Sequence, residues 1–212
     1  AMGERGALKT ARKGLGRFTV TVRGQAAHAG LEPGKGASAI LELSLVIQKL
    51  FALNDLEGGV SVNVGTIDGG IQPNVVAPES RAVADVRVLT FEDARRVESA
   101  IRGLESETPG TTVEVEGFFG RPPMERTPGN RSLWEAALEA AGELDLELEQ
   151  AAAGGGSDGN TTSMFAPTLD GLGAVGDGAH APHEQLSVAH MVERAALLAC
   201  LLVRPALSQE RS

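Results

Sequence analysis

The 212-residue sequence has one cysteine, one tryptophan and no tyrosine, and aromatic residues make up only 3% of it. A lone Cys200 excludes a framework of intrachain disulfides; in the apolar run ALLACLLV it reads as a small core residue. No apolar run approaches the roughly 20 residues that a membrane-spanning helix needs. Glu4, Arg5, Lys9 and Arg12 stand where an apolar signal core would lie, so no signal peptide is expected in this segment. Basic residues are scarce beside acidic ones, 19 against 28, for a net charge of −9. That balance disfavours nucleic acid, whose phosphates need a basic patch, so neither nucleic acid nor membrane is expected as a partner. The local basic group Lys9, Arg12, Lys13 and Arg17 reads as a solvated linker.

What the chain does have is an ordinary globular balance, 42% hydrophobic and 22% charged, with 27 glycines. RFTVTVR (17–23) alternates as a half-buried strand should. A turn-rich segment follows, then a helical stretch, ASAILELSLVIQKLF, with Ile40, Leu43, Val46, Ile47 and Leu50 on one face. Two alternating runs come next, VSVNVGTI and ESRAVADVRV, separated by the loop DGGIQPN. Thr90 with Asp93 opens the helix FEDARRVESAIRGL as a capping box, with Val97, Ile101 and Leu104 as its seam, and TTVEVEGFF closes the set. The order β-α-β-β-α-β over roughly 17–120 predicts a ferredoxin-like domain.

Beyond RPPMERTPGN the pattern changes. Asn130 is expected to cap a helix ending at Gly142. A strand in LELEQA leads to AAAGGGSDGN, a short helical turn TSMFA follows, then a strand LGAVG, the loop DGAHAPHE and a final helix from Ser187 to Val203. So few strands cannot easily close a core, and this part reads as half of an α/β domain.

Several motifs carry chemistry. AAAGGGSDGN contains Gly154, Gly156 and Gly159 in G-x-G-x-x-G spacing, which can cradle a pyrophosphate. Pro167 leaves too little helix for a dinucleotide crossover, and Asp158 would set a carboxylate among the amides meant for phosphate. His180-Ala-Pro-His183-Glu184 offers metal-donor side chains on a loop, in an order that does not fit H-E-x-x-H; a polar surface loop accounts for it equally well. His28, at a strand end before a turn, is either structural or catalytic. Arg121, at a domain junction, could grip a carboxylate or tie backbone segments together. Asn74 in IQPNVVAP reads as a turn former tolerant of left-handed backbone.

The series GRFTVTVRGQAAHAG, GTIDGGIQPNVVAPESRAVADVRV, GGGSDGN and PTLDGLGAVGDGAHAPHE resembles the glutamate carboxypeptidase family of zinc amidohydrolases. Acetylornithine deacetylase and succinyl-diaminopimelate desuccinylase belong to it too. The resemblance runs from about Gly6 to Val203. It implies an α/β (α+β) chain of three parts: 1–16, a linker from a truncated catalytic domain; 17–122, a ferredoxin-like dimerisation or lid domain; and 123–212, the C-terminal part of the zinc-peptidase catalytic domain. It implies a homodimer through 17–122, and two zinc ions in the intact enzyme whose other ligands and glutamate base lie outside this chain.

Residue by residue, the resemblance places His180 on the last metal ligand and Glu184 on the acid of the same motif. His183 stands where relatives usually carry Asn or Asp. His28 falls on the histidine that reaches the partner's active site and stabilises the oxyanion. Asn74 and Arg121 fall on groups that hold the substrate carboxylate and its surroundings, and Gly155 and Gly156 on the loop whose backbone approaches the substrate. The implied reaction is hydrolysis of the amide bond of an N-acyl amino acid or peptide with a free carboxylate, by zinc-activated water. This chain alone is then expected to be inactive. The alternative is a non-catalytic dimerisation or binding module derived from such an enzyme.

Overall fold

The computed structural model describes residues 6–179 and 181–204. In chain order the elements are β1 (Leu8–Arg12), β2 (Gly14–Arg23), α1 (Ala39–Phe51), β3 (Ser61–Gly69), β4 (Glu79–Val88), α2 (Phe91–Arg102), β5 (Thr112–Arg121), α3 (Pro128–Gly142), β6 (Gln150–Ala153), α4 (Gly159–Thr162), β7 (Gly176–Asp177), β8 (Gln185–Leu186) and α5 (Val188–Val203). They form two compact units, one of residues 13–123 and one of residues 1–12 with 124–212.

The first unit is an antiparallel sheet in the order β3-β4-β2-β5, with α1 and α2 as the two crossovers. This is the ferredoxin-like split that the alternating runs predict. The two central strands bury every second residue over most of their length: Phe18, Val20 and Val22 on β2, and Ala82, Ala84, Val86 and Val88 on β4. These meet Leu43, Val46 and Leu50 of α1 and Val97 and Ile101 of α2 in one core. Each large aliphatic side chain so buried contributes about 1.5–3 kcal/mol. Thr90 caps α2 as expected: its Oγ1 accepts from the Asp93 amide at 3.0 Å and donates to the Asp93 carboxylate at 2.7 Å.

The apolar face of α1 is the expected one at Leu43, Val46, Ile47 and Leu50 and departs from it at Ile40. Ile40 is exposed, and Glu42 is fully buried. Its Oε2 accepts from the backbone amides of Glu107 at 3.1 Å and Thr108 at 2.7 Å. Those hydrogen bonds pin the α2–β5 loop onto α1. Burial by itself would raise the Glu42 pKa. The hydrogen bonds from Thr108 and Glu107, with the nearby Lys49 charge, outweigh it and hold the carboxyl below its ordinary value of 4.5. A depressed folded-state pKa means that this stabilisation is complete above the unfolded value and is lost as pH falls through the folded one. Glu42→Gln is therefore expected to lower stability by about 1–2 kcal/mol at neutral pH. It is also expected to flatten the loss of stability below pH 4.5, read by urea denaturation at several pH values. An unchanged acid limb would show that Glu42 is not its source.

In the second unit β1 and β6 pair in parallel, and β7 and β8 form a small antiparallel ladder. Residues 8–12, expected as linker, are strand here, and Arg12, expected as solvated, is 8% exposed. The helix α3 is capped by Thr127, whose side chain accepts from the Asn130 amide at 3.2 Å, and Pro128 takes the first helical position that suits its missing N–H. Asn130 is buried instead and ties Glu125 to Thr168 through its amide at 2.7 and 2.6 Å. Ala140, Ala141 and Leu197 form a second core, with Cys200 packed against it.

Candidate functional site

Within the ferredoxin-like unit, β2 continues past Arg23 into the loop that carries His28. Gly24 passes so close to the Ala37 carbonyl that a Cβ there would lie 2.1 Å from its oxygen, so only glycine lets the chain turn at this point. The loop is then held against residues 74–76. His28 bridges Val75, the Ala29 amide donates to the Asn74 carbonyl at 3.0 Å, and the Val76 amide donates to the Ala27 carbonyl at 2.9 Å. His28 and Asn74, 46 positions apart in the chain, thus sit on facing segments, both exposed. Asn74 lies in a turn closed by Val75 and Gln72, but its backbone is not left-handed. Beside this ladder lies a cavity of about 590 Å³, lined in part by Ala29, Ile71, Pro73 and Val75.

The His28 ring is oriented by its own turn. Its Nδ1 accepts from the amides of Gly30 at 3.1 Å and Leu31 at 3.2 Å. Two donors aimed at Nδ1 put the proton of the neutral ring on Nε2, which is then a hydrogen-bond donor available to an oxyanion.

Arg121 is placed elsewhere in the same unit. It ends β5 in register with Leu15 near the start of β2, whereas His28 lies beyond Arg23 at the other end. The eight residue steps from Leu15 to Arg23 correspond to about 26 Å of strand. Arg121 lines a cavity of about 700 Å³ on the open face of the sheet, with Arg17, Arg87, Asp85, Glu116 and Phe118. One protomer therefore does not gather Arg121 with His28 and Asn74.

In the other unit the glycine loop is anchored by residues that sequence reasoning missed. Arg12 donates from Nε to Asp170 at 2.7 Å and from Nη1 to the Gly155 carbonyl at 2.9 Å. Asp170 also accepts from the Ser157 hydroxyl and from the Gly171 amide at 2.5 Å. The Ser157 amide donates to the Asn160 side chain at 2.9 Å. Burial would raise the Asp170 pKa, yet the hydrogen bonds from Ser157, Gly171 and Arg12 lower it below its usual 3.8. Gly159 is required by this clamp, because a Cβ there would approach Asp170 Oδ2 to 2.6 Å. At Gly154 and Gly155, by contrast, a Cβ would meet nothing within 4 Å. The helix after the loop, α4, is a single turn of four residues, too short for a dinucleotide crossover.

His180 lies outside the described residues. His183 and Glu184 are exposed on the turn before β8. Among the described residues no three His, Cys, Asp or Glu side chains group as a metal ion needs, so these residues do not by themselves make a site for zinc.

Residues 10–110 match the model of the peptidase dimerisation domain of the M20 family. Carboxypeptidase G2 of Pseudomonas sp. (strain RS-16) is 25% identical over 203 residues, 92% of this chain and 48% of its own length. The chain spans about half the length of the curated relatives it matches. Aminopeptidase PepT of Bacillus cereus ATCC 10987 superimposes with a TM-score of 0.78 at 25% identity, over 94% of this chain and 54% of its own. The YXEP protein of Bacillus subtilis, described as a dinuclear metal-binding peptidase of the M20 family, shares the fold with a TM-score of 0.63 at 19% identity, over 90% of this chain and 49% of its own. The dimerisation-domain match, the relatives and the fold together support the M20 family of metallopeptidases for this chain.

Proposed function

We propose that the whole protein is a metal-dependent hydrolase of the glutamate carboxypeptidase type. It cleaves the amide bond of an N-acyl amino acid or peptide that has a free carboxylate. The observation that carries this reading is His28: an exposed imidazole whose Nδ1 is occupied by two backbone amides, leaving Nε2–H to donate to a tetrahedral oxyanion. Arg121 supplies a guanidinium for the carboxylate, and Gly155 and Gly156 offer backbone without side chains for the substrate to approach. Because His28 and Arg121 lie at opposite ends of one sheet, a site that needs both draws them from two protomers. A homodimer through residues 17–122 meets that requirement.

The sheet has two edges on which such pairing could occur. On β5, Arg102 of α2 donates to the Gly117 carbonyl at 2.6 Å. On β3, Ile67 is exposed, with Ile71 and Ile40 nearby, and the dimerisation-domain match includes β3 but stops before β5. These features favour β3 as the paired edge.

The described residues assemble no metal set, and we assign the two zinc ions to the whole protein, with His180 as this chain's one ligand. The chain alone is expected to show no tight binding of two zinc ions by calorimetry; near-stoichiometric tight binding would contradict this. Whole protein supplied with zinc is expected to release glutamate from an N-acyl-glutamate and to lose that activity when the substrate's free carboxylate is amidated. Hydrolysis indifferent to the amidation would remove the role given to Arg121. A lack of any amide hydrolysis would leave the reading of a non-catalytic dimerisation module.

A further inference from the structure

In the unit formed by residues 1–12 and 124–212, a cavity of about 360 Å³ is lined by Thr10, Arg126, Arg131, Trp134, Glu135 and Gln150. Its floor is a hydrogen-bonded chain. Thr10, only 2% exposed, donates from Oγ1 to Gln150 Oε1 at 2.9 Å and accepts from Arg126 Nε at 2.9 Å. A buried hydroxyl thus fixes the guanidinium through Nε, and the two Nη groups are not used in that anchor. Arg131 and Trp134 are three apart on α3 and lie on the same face. Among the described residues, Arg126 has no other polar partner and the Arg131 side chain has none. Glu135 also lines the cavity, but it forms no ion pair with either arginine.

Two further facts set this place apart. The chain carries a net charge of −9, yet two guanidiniums line this one cavity and, among the described residues, neither is in an ion pair. Arg131 is the fourth residue of α3, whose first turn holds no acidic residue. A cation at the positive end of a helix dipole is unfavourable unless an anion lies near. A local rule broken without a compensating contact inside the chain points to a compensating ligand.

We propose that this cavity binds a small dianion, a phosphate monoester or a dicarboxylate, between Arg126 and Arg131, with the Trp134 indole as its flat apolar wall. Guanidinium groups suit both anions through paired hydrogen bonds. The inference does not depend on the hydrolase reading, and its test needs no activity.

Trp134 is the chain's only tryptophan and there is no tyrosine, so intrinsic fluorescence reports on this cavity alone. The 212-residue chain is titrated with inorganic phosphate and, separately, with succinate, at constant ionic strength set by sodium chloride. A saturable change in emission is expected with at least one of them, and the tighter binder identifies the source of the dianion. Arg126→Gln with Arg131→Gln is expected to weaken binding about tenfold or more. Arg131→Gln alone, at an exposed position, gives a smaller loss in the same direction and serves if the double variant does not fold. No saturable change with either anion overturns the proposal. So does an unaltered affinity in a folded variant, or an equal response to sodium chloride.

Discussion

Replacing His28 by alanine in the whole protein is expected to lower kcat by about 10²- to 10³-fold, the usual effect of removing one donor from an oxyanion site. KM and zinc content are expected to change little, because the Nε2–H matters most once negative charge has developed on the carbonyl oxygen. The substitution spares the fold. His28 is exposed, and its segment is held by the backbone hydrogen bonds of Ala27 and Ala29 with residues 74–76. Light scattering should give the variant the same oligomeric state as the parent. His28→Gln, which retains an N–H donor on a different stem, should recover part of the rate. Steady-state hydrolysis of an N-acyl-glutamate provides the measurement. A kcat within about threefold of the parent would remove His28 from the chemistry and leave it a loop residue.

Replacing Asp170 by alanine is expected to destabilise the unit containing the glycine loop by about 3 kcal/mol, because a buried cation is left without its counter-charge. Arg12 has a side chain only 9% exposed, and Asp170 is its ion-pair partner at 2.7 Å. The same carboxylate holds the Ser157 hydroxyl and the Gly171 amide. Its removal therefore loosens the loop at both ends, and amides 154–160 should exchange faster with solvent than in the parent. The pH dependence follows from the lowered Asp170 pKa. The stabilisation is complete above 3.8 and is lost as pH falls through the depressed folded value. Arg12→Lys should recover only part of it, since an ammonium cannot reach Asp170 and the Gly155 carbonyl in the guanidinium's fork geometry. Urea denaturation gives the energy and hydrogen exchange gives the location. A loss below about 1 kcal/mol would mean that the pair is no more than a surface contact.

The ferredoxin-like unit was legible because its signals are local. Alternation in RFTVTVR and ESRAVADVRV declares one buried face per strand, and Thr90 with Asp93 declares a helix start within four residues. The errors fall where a distant partner decides. Glu42 is absent from the apolar face expected for α1, and it is buried because the loop at Glu107 and Thr108, some 65 positions on, supplies two amides for it. Residues 8–12 have no strand alternation, and only the parallel partner Gln150–Ala153 makes them one. Asn130 looked like a cap because of its type; Thr127 followed by Pro128 was the stronger signal and was present in the same string.

Of the candidate site residues, sequence singled out His28 and Asn74 separately, and the fold placed them on facing segments. Arg121, singled out in the same way and grouped with them by the resemblance, stands at the opposite end of β2. The sequence by itself determined the element order and most buried positions of the ferredoxin-like unit, and pointed to the family, because hydrophobic period, caps and short motifs are written within a few residues of one another. Tertiary structure alone decided that Arg12 and Asp170, 158 positions apart, clamp the glycine loop, and that two amides fix the His28 tautomer. Pairings of that kind follow from where the backbone brings polar atoms together, and no spacing along the chain encodes the distance.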